Sequence, residues 1–355
     1  MRRAAYLGAV RQRITVHPFD CGRVQTGIWI NYSTCVVPES GASSTRETFV
    51  KRYLAFVSSI SFDTRPQILA VEINPDWDED VRHRWSENKQ QIIQGLAQQY
   101  GALDLNRKVV DFLQLGREPF SIVAFHNKFL RQCRDAFVAG NYYPALTGTC
   151  ALGERILNHL VLKLRDYHKV TPSYKRVYDK ESFDKWDLAI DVLEEWQVFV
   201  DEDIFRTWKS FALRRIKRAG EETDLHESDG VADLFRRLHK LRNNSIHFRI
   251  DLDVEVREPA LRALELLQDV VAVQFGVEGP LPWFISGLSN HFIKKEFEDN
   301  PFIREFYLPA CEYVGPNYQV DRIGDALQIN DPGPYDDKEI TDSQFVALLN
   351  AARGR

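Results

Sequence analysis

From about residue 119 to residue 275 the apolar residues return every third or fourth position, and this spacing constrains the fold more than any other feature of the chain. Phe125, Phe129, Cys133 and Phe137 form the first such stripe. A strand repeats every two residues, whereas a spacing of four lines side chains up on one face of a helix. Gly140-Asn141 ends this segment, because glycine readily takes the left-handed conformation that closes a helix. Pro144 opens the next helix in its first turn, where backbone donors have no intrahelical partner. Leu146, Cys150, Leu157, Leu160 and Leu164 give the second stripe, with Gly153 as a point of close helix approach. Beyond a connector containing Pro172, Trp186, Ile190, Leu193, Trp196 and Val200 predict a helix over about 183–200. Phe205, Trp208 and Phe211 follow, then Leu234, Leu238, Leu241, Ser245 and Phe248, and last Leu261, Leu264, Leu267, Val271 and Phe275. Helices with one apolar face must bury it against one another. The pattern therefore predicts a mainly α fold, with an antiparallel helical bundle over residues 116–276.

The flanks read differently. Residues 1–115 are expected to form a small α+β domain. Residues 13–16 and 25–30 have the β-branched and aromatic content of strands. A short helix is expected over about 45–58 and a buried strand over 67–73. Asn74-Pro75-Asp76 opens a long helix that stops at Gly101, with Asp76, Asp78, Glu79 and Asp80 at its positive end. That acidic start accounts for the cluster with His83 without a metal. Residues 277–355 are rich in proline, glycine and aromatics and predict an irregular extension wrapped on the bundle.

The net charge is −5, so nothing attracts nucleic acid to the chain as a whole, and such contact would need a local basic patch. Cys21, Cys35, Cys133, Cys150 and Cys311 contain no C-x-x-C pair, which argues against a zinc site or a disulfide framework. Cys133 and Cys150 lie in apolar helical patterns and read as buried thiols. No run approaches the roughly 20 apolar residues of a membrane helix, and no apolar signal core is present near Met1. A cytoplasmic protein is expected. There is no glycine-rich phosphate loop and no G-x-S-x-G elbow.

Chemistry concentrates in Arg242-Asn243-Asn244-Ser245-Ile246-His247. A guanidinium grips phosphate with a planar fork of donors. An imidazole moves protons near neutral pH. Positions five apart differ by about 140° on an ideal helix, so the pair converges only if the helix loosens at the two asparagines or if two copies face each other. The alternative is bland: Arg242 as a surface cation and His247 at a helix end. Arg236, Arg237, His239, Lys240 and Arg249 bracket the motif, and Arg214, Arg215, Lys217 and Arg218 lie upstream. They read either as an RNA track or as a solvated face. Trp208 and Phe211 read either as base-stacking platforms or as core.

The string Leu241 to His247, with Phe137-Val138-Ala139-Gly140-Asn141-Tyr142-Tyr143-Pro144-Ala145-Leu146 and Glu154-Arg155-Ile156-Leu157 upstream, resembles HEPN-domain ribonucleases over about residues 120–275. The resemblance implies RNA cleavage at a dimer interface without metal or cofactor, possible roles in phage defence or toxin-like growth arrest, and a sensor or partner-binding role for the N-terminal region. Carried onto this chain it implies His247 as general acid or base, Arg242 on the scissile phosphate and Asn243 as the polar orienting residue. Glu154 becomes a candidate acidic partner, or equally a solvated or capping residue. Arg214, Arg215, Arg218, Arg236, Arg237 and Lys240 become candidate RNA contacts. Family members that have lost activity leave a second expectation open, a non-catalytic module that regulates a protein partner or binds a nucleotide.

Overall fold

The computed structural model describes residues 50–55, 63–178, 185–216, 230–246, 256–288, 291–323, 326–335 and 338–354, without the side chains of 211–216, 246, 322–323 and 326. The strands expected at 13–16 and 25–30 lie outside these residues.

A short strand β1 (Arg52–Leu54) is followed by helices α1 (Arg65–Ala70), α2 (Glu79–Tyr100) and α3 (Leu105–Leu115). The strand expected at 67–73 is thus a helix as far as Ala70, and residues 71–73 follow without regular structure. Ile68, Val71 and Ile73 suggested β structure, but stronger local signals prevail. Pro66 sits in the first turn, the Asp63 carboxylate accepts from the Arg65 N–H at 3.0 Å, and the Lys89 ammonium donates to the carbonyl of Leu69 at 3.1 Å at the other end. Within the helix expected at 45–58, residues 52–54 are strand β1. The long helix ends at Gly101 as expected. Leu96 of α2, with Phe112 and Leu115 of α3, joins the same buried core as the helices that follow.

Those helices are α4 (Ala124–Ala139), α5 (Tyr142–Leu164), the single turn α6 (Tyr174–Val177), α7 (Trp186–Glu195), α8 (Glu202–Ile216), α9 (Val231–Ile246) and α10 (Arg257–Gln274). Gly140 closes α4 at φ 91°, with its N–H donating to Phe137 and that of Asn141 to Ala136. α5 lies centrally and packs on α4, α7, α9 and α10. Its stripe Leu146, Cys150, Leu157, Leu160 and Leu164 is buried, as are Leu234 and Leu238 of α9 and Leu264 and Leu267 of α10. A Cβ added at Gly153 would lie 2.6 Å from Leu238 and 3.0 Å from Trp186, so this glycine is what lets α9 and α7 close onto α5. The helix expected over 183–200 stops at Glu195 because Gln197 turns to φ 54°, while Trp196 and Val200 stay buried beyond it.

The C-terminal extension is less irregular than expected. Strand β2 (Glu312–Val314) pairs antiparallel with β1. β3 (Gln319–Ile323) and β4 (Ala326–Asn330) form an antiparallel hairpin. Helix α11 (Asp342–Ala352) begins at Thr341 with a reciprocal cap to Gln344. Leu54, Phe292, Val314, Tyr318, Phe345 and Leu349 form a second, smaller core. The extension is anchored on the bundle by Trp283, Phe302, Phe306 and Tyr307. The Tyr307 hydroxyl donates to the carbonyl of Gly276 at 2.8 Å, just past α10. Among the described residues, no helix is long and apolar enough to cross a membrane.

Candidate functional site

Helix α9 carries the motif as far as Ile246; His247 lies outside the described residues. The helix forms because Leu234, Phe235 and Leu238 bury one face against α5 and α10. Its polar residues occupy the borders with α5 on one side and α7 on the other.

On the α5 side, Arg242 Nη2 lies 3.4 Å from Glu154 Oε2, with the two side chains 29% and 27% exposed. The guanidinium also lies near Cys150. Burial pushes that thiol up to about 12 against the opposing pull of the Arg242 charge. Arg242 Nη1 donates over a long 3.4 Å to Asn243 Oδ1. Thus two of the three residues singled out as catalytic lie together with the acidic residue singled out on α5.

On the α7 side, Asn243 Nδ2 lies 3.0 Å from His239 Nε2, and His239 Nδ1 lies 3.2 Å from Asp187 Oδ1. The His239 ring stacks on the buried Trp186 indole, with centroids 5.3 Å apart and planes 9° from parallel. Sequence reasoning placed His239 only among the flanking basic residues. Its spacing of four from Asn243 puts both on one helix face, a signal readable in the sequence. Asp187 comes from a distant helix and gave no such signal.

The flanking cations divide. Arg236 is held between Asp233, at 3.0 Å, and Glu194; its pKa is raised, chiefly by the bond to Glu194. Lys240 is exposed and Arg237 partly buried. The side chains of Arg214 and Arg215, and all of Arg218, lie outside the described residues. Trp208 is buried and its indole N–H donates to the Glu278 carbonyl at 3.2 Å, so it serves the core rather than stacking bases. Cys133 and Cys150 are buried thiols, as expected.

No protein-family model matches the chain, and no curated protein or solved structure matches it at a significant level.

The arrangement can present one guanidinium at a partly open surface. Glu154 steadies one edge of it, and a row of hydrogen-bonding groups flanks the other. Such an edge fits an anionic oxygen, because the planar fork keeps donors beyond those already engaged.

Proposed function

We propose that this chain is a metal-independent endoribonuclease of the HEPN type, acting as a homodimer or within a larger assembly. The observation that carries the reading is the half-open Arg242–Glu154 pair beside Asn243, five residues before His247 on the chain. In this reading the ribose 2′-oxygen attacks the adjacent phosphorus and gives up its proton to a base. The bond to the 5′-oxygen breaks, and that oxygen takes a proton from an acid. A 2′,3′-cyclic phosphate and a 5′-hydroxyl result. His247 performs one of the proton transfers, and His247 of a second copy supplies the other. Arg242 binds the scissile phosphate and counters the charge that builds on it. Asn243 orients the pair. Exposed Lys240, with Arg237, Arg214, Arg215 and Arg218, would hold flanking phosphates. The biological setting that fits is phage defence or toxin-like growth arrest.

The test incubates the purified chain with total RNA in EDTA. Wild type should yield fragments with cyclic phosphate and 5′-hydroxyl ends, while His247→Ala and Arg242→Ala should each lose about a hundredfold or more. Equal cutting by all three would remove the assignment. A second reading has its own support: Arg242 and Asn243 already have internal partners in Glu154 and His239. This suits a non-catalytic HEPN-like module that regulates a protein partner or binds a nucleotide. Absence of cutting by wild type, with a bound partner or nucleotide recovered, would favour it.

A further inference from the structure

We propose that His239 is a positioning residue: held by Asp187 and stacked on Trp186, it fixes the orientation of the Asn243 amide and through it that of Arg242. The argument follows from what each atom can donate. An ionised carboxylate only accepts, so the 3.2 Å contact between Asp187 Oδ1 and His239 Nδ1 puts the ring proton on Nδ1. The other nitrogen of a neutral imidazole is then a bare acceptor. Asn243 must turn its NH2 group toward it, as the 3.0 Å contact from Nδ2 to Nε2 requires. The amide oxygen of Asn243 is thereby directed to the other side, where Arg242 Nη1 approaches it at 3.4 Å. Arg242 Nη2 meets Glu154 on the remaining side. Donation thus starts at Arg242, which gives to Glu154 on one side and to Asn243 on the other, and from Asn243 it runs one way through His239 to Asp187; turning the amide or moving the ring proton breaks that run.

Packing keeps the imidazole from turning. Its face lies flat on Trp186, which is 1% exposed, and Gly153 gives α7 and α9 the close approach that sets this stack. A histidine needed only to cover Trp186 would gain nothing from partners on both ring nitrogens. Two partners that together allow one tautomer are what positioning requires.

The kinetic arm of the test rests on the proposed RNA cleavage; the spectroscopic arm does not. Ring-nitrogen NMR of the full chain, with the His239 signal identified by its loss in His239→Gln, should show that the neutral ring carries its proton on Nδ1 and leaves Nε2 bare. Asn243→Leu should shift the Nε2 signal alone. A ring protonated on Nε2 overturns the proposal whether or not the chain cuts RNA. In cleavage assays His239→Leu should lower kcat by roughly ten- to a hundredfold. His239→Gln places a carbonyl oxygen where Nε2 was and should restore most of that loss, although both variants forfeit the imidazole stack equally. Equal impairment of the two, in a chain whose wild type is active, also overturns the proposal. If wild type does not cut, the ribonuclease reading fails, and the Nδ1–H tautomer with its response to Asn243→Leu still decides the positioning role.

Discussion

Two arginine–carboxylate junctions in this molecule look alike in sequence and differ in purpose. The first gathers on Asp111 of α3, whose side chain is 0% exposed. Arg257 of α10 donates to its Oδ1 from Nε at 2.9 Å and from Nη2 at 2.6 Å. The Tyr142 hydroxyl, at the start of α5, donates to Oδ2 at 2.8 Å, and Arg107 approaches the same oxygen at 3.4 Å. Both oxygens are fully engaged and three helices meet there. The second junction, Arg242–Glu154, is a single 3.4 Å approach with both groups more than a quarter exposed. A buried charge with every lone pair taken is a structural staple. A part-exposed pair with spare donors contributes little to stability and keeps its arginine open to another anion. The arginines are exposed alike, Arg107 at 35%, Arg257 at 31% and Arg242 at 29%, so the number of bonds and the burial of the carboxylate are what separate the two junctions.

The comparison is easiest to break at Asp111. Asp111→Ala removes the acceptor for two guanidinium groups and a phenol; because both arginines are about a third exposed and can turn to water, it should destabilise the fold by about 2–4 kcal/mol in chemical denaturation. A loss under about 1 kcal/mol would mean that the junction is no staple. Next in size is Gly153→Ala, which forces α9 and α7 away from α5. It should cost about 1–3 kcal/mol by overpacking, and in the proposed enzyme it should disturb the α9 border as well. Urea titration followed by Trp fluorescence reads the first effect, and loss of the ring-stacking shift of His239 reads the second.

Histidine burial gives a third, pH-dependent term unrelated to either junction. Burial holds His126 well below its ordinary value, and burial, followed by Lys163 and Arg155, lowers His159 to about 4. His126 meets Ser121 Oγ at 2.9 Å through Nδ1, while its Nε2 and the His159 Nδ1 are buried without a partner. These rings are neutral when folded and titrate near 6.5 when unfolded. The unfolded chain therefore binds more protons below that pH, so stability is full above about 6.5 and falls as pH drops toward 4. His159→Phe should flatten the fall by about 1–2 kcal/mol, after discounting for the part of the ring open to solvent. An unchanged slope would assign the acid sensitivity elsewhere.

What the sequence discloses about this fold is its local physics. The stripes of α4, α5, α9 and α10 were legible because one-sided burial imposes its period on the residues themselves. So were Gly140 as a helix stop and Gly153 as a contact point. At α1 the β-branched Ile68, with Val71 and Ile73 just beyond the helix, points to a strand and masks the helix start at Asp63 and Pro66, whereas Val109, Phe112 and Leu115 do share one face of α3. α11 carries a readable Thr341-x-x-Gln344 cap that the proline-rich surroundings obscured. The β1–β2 pairing joins opposite ends of the described chain, and no local pattern encodes it. The candidate site divides the same way. Arg242 and Asn243 are legible as a motif, and Asn243 with His239 as a spacing of four. Asp187 and Trp186 reach them only through the packing of α7 on α9.

The smallest expected change sharpens the comparison most. Glu154→Gln keeps the size of the side chain and its ability to accept a hydrogen bond, and removes only its charge. Because both partners are part-exposed, stability should move by less than about 1 kcal/mol, several-fold less than at Asp111. Arg242 would keep a neutral acceptor at its Nη2 edge and lose a carboxylate that competes with phosphate. Affinity for a short oligonucleotide with 2′-deoxyribose at the scissile position, which cannot supply the attacking hydroxyl, should therefore rise by roughly twofold, about 0.5 kcal/mol. The gain should fade as salt is raised, because the competing interaction is electrostatic. A large loss of stability in Glu154→Gln would place this pair in the same class as the Asp111 junction. Weaker oligonucleotide binding would show that the Glu154 charge assists Arg242 rather than competing for it.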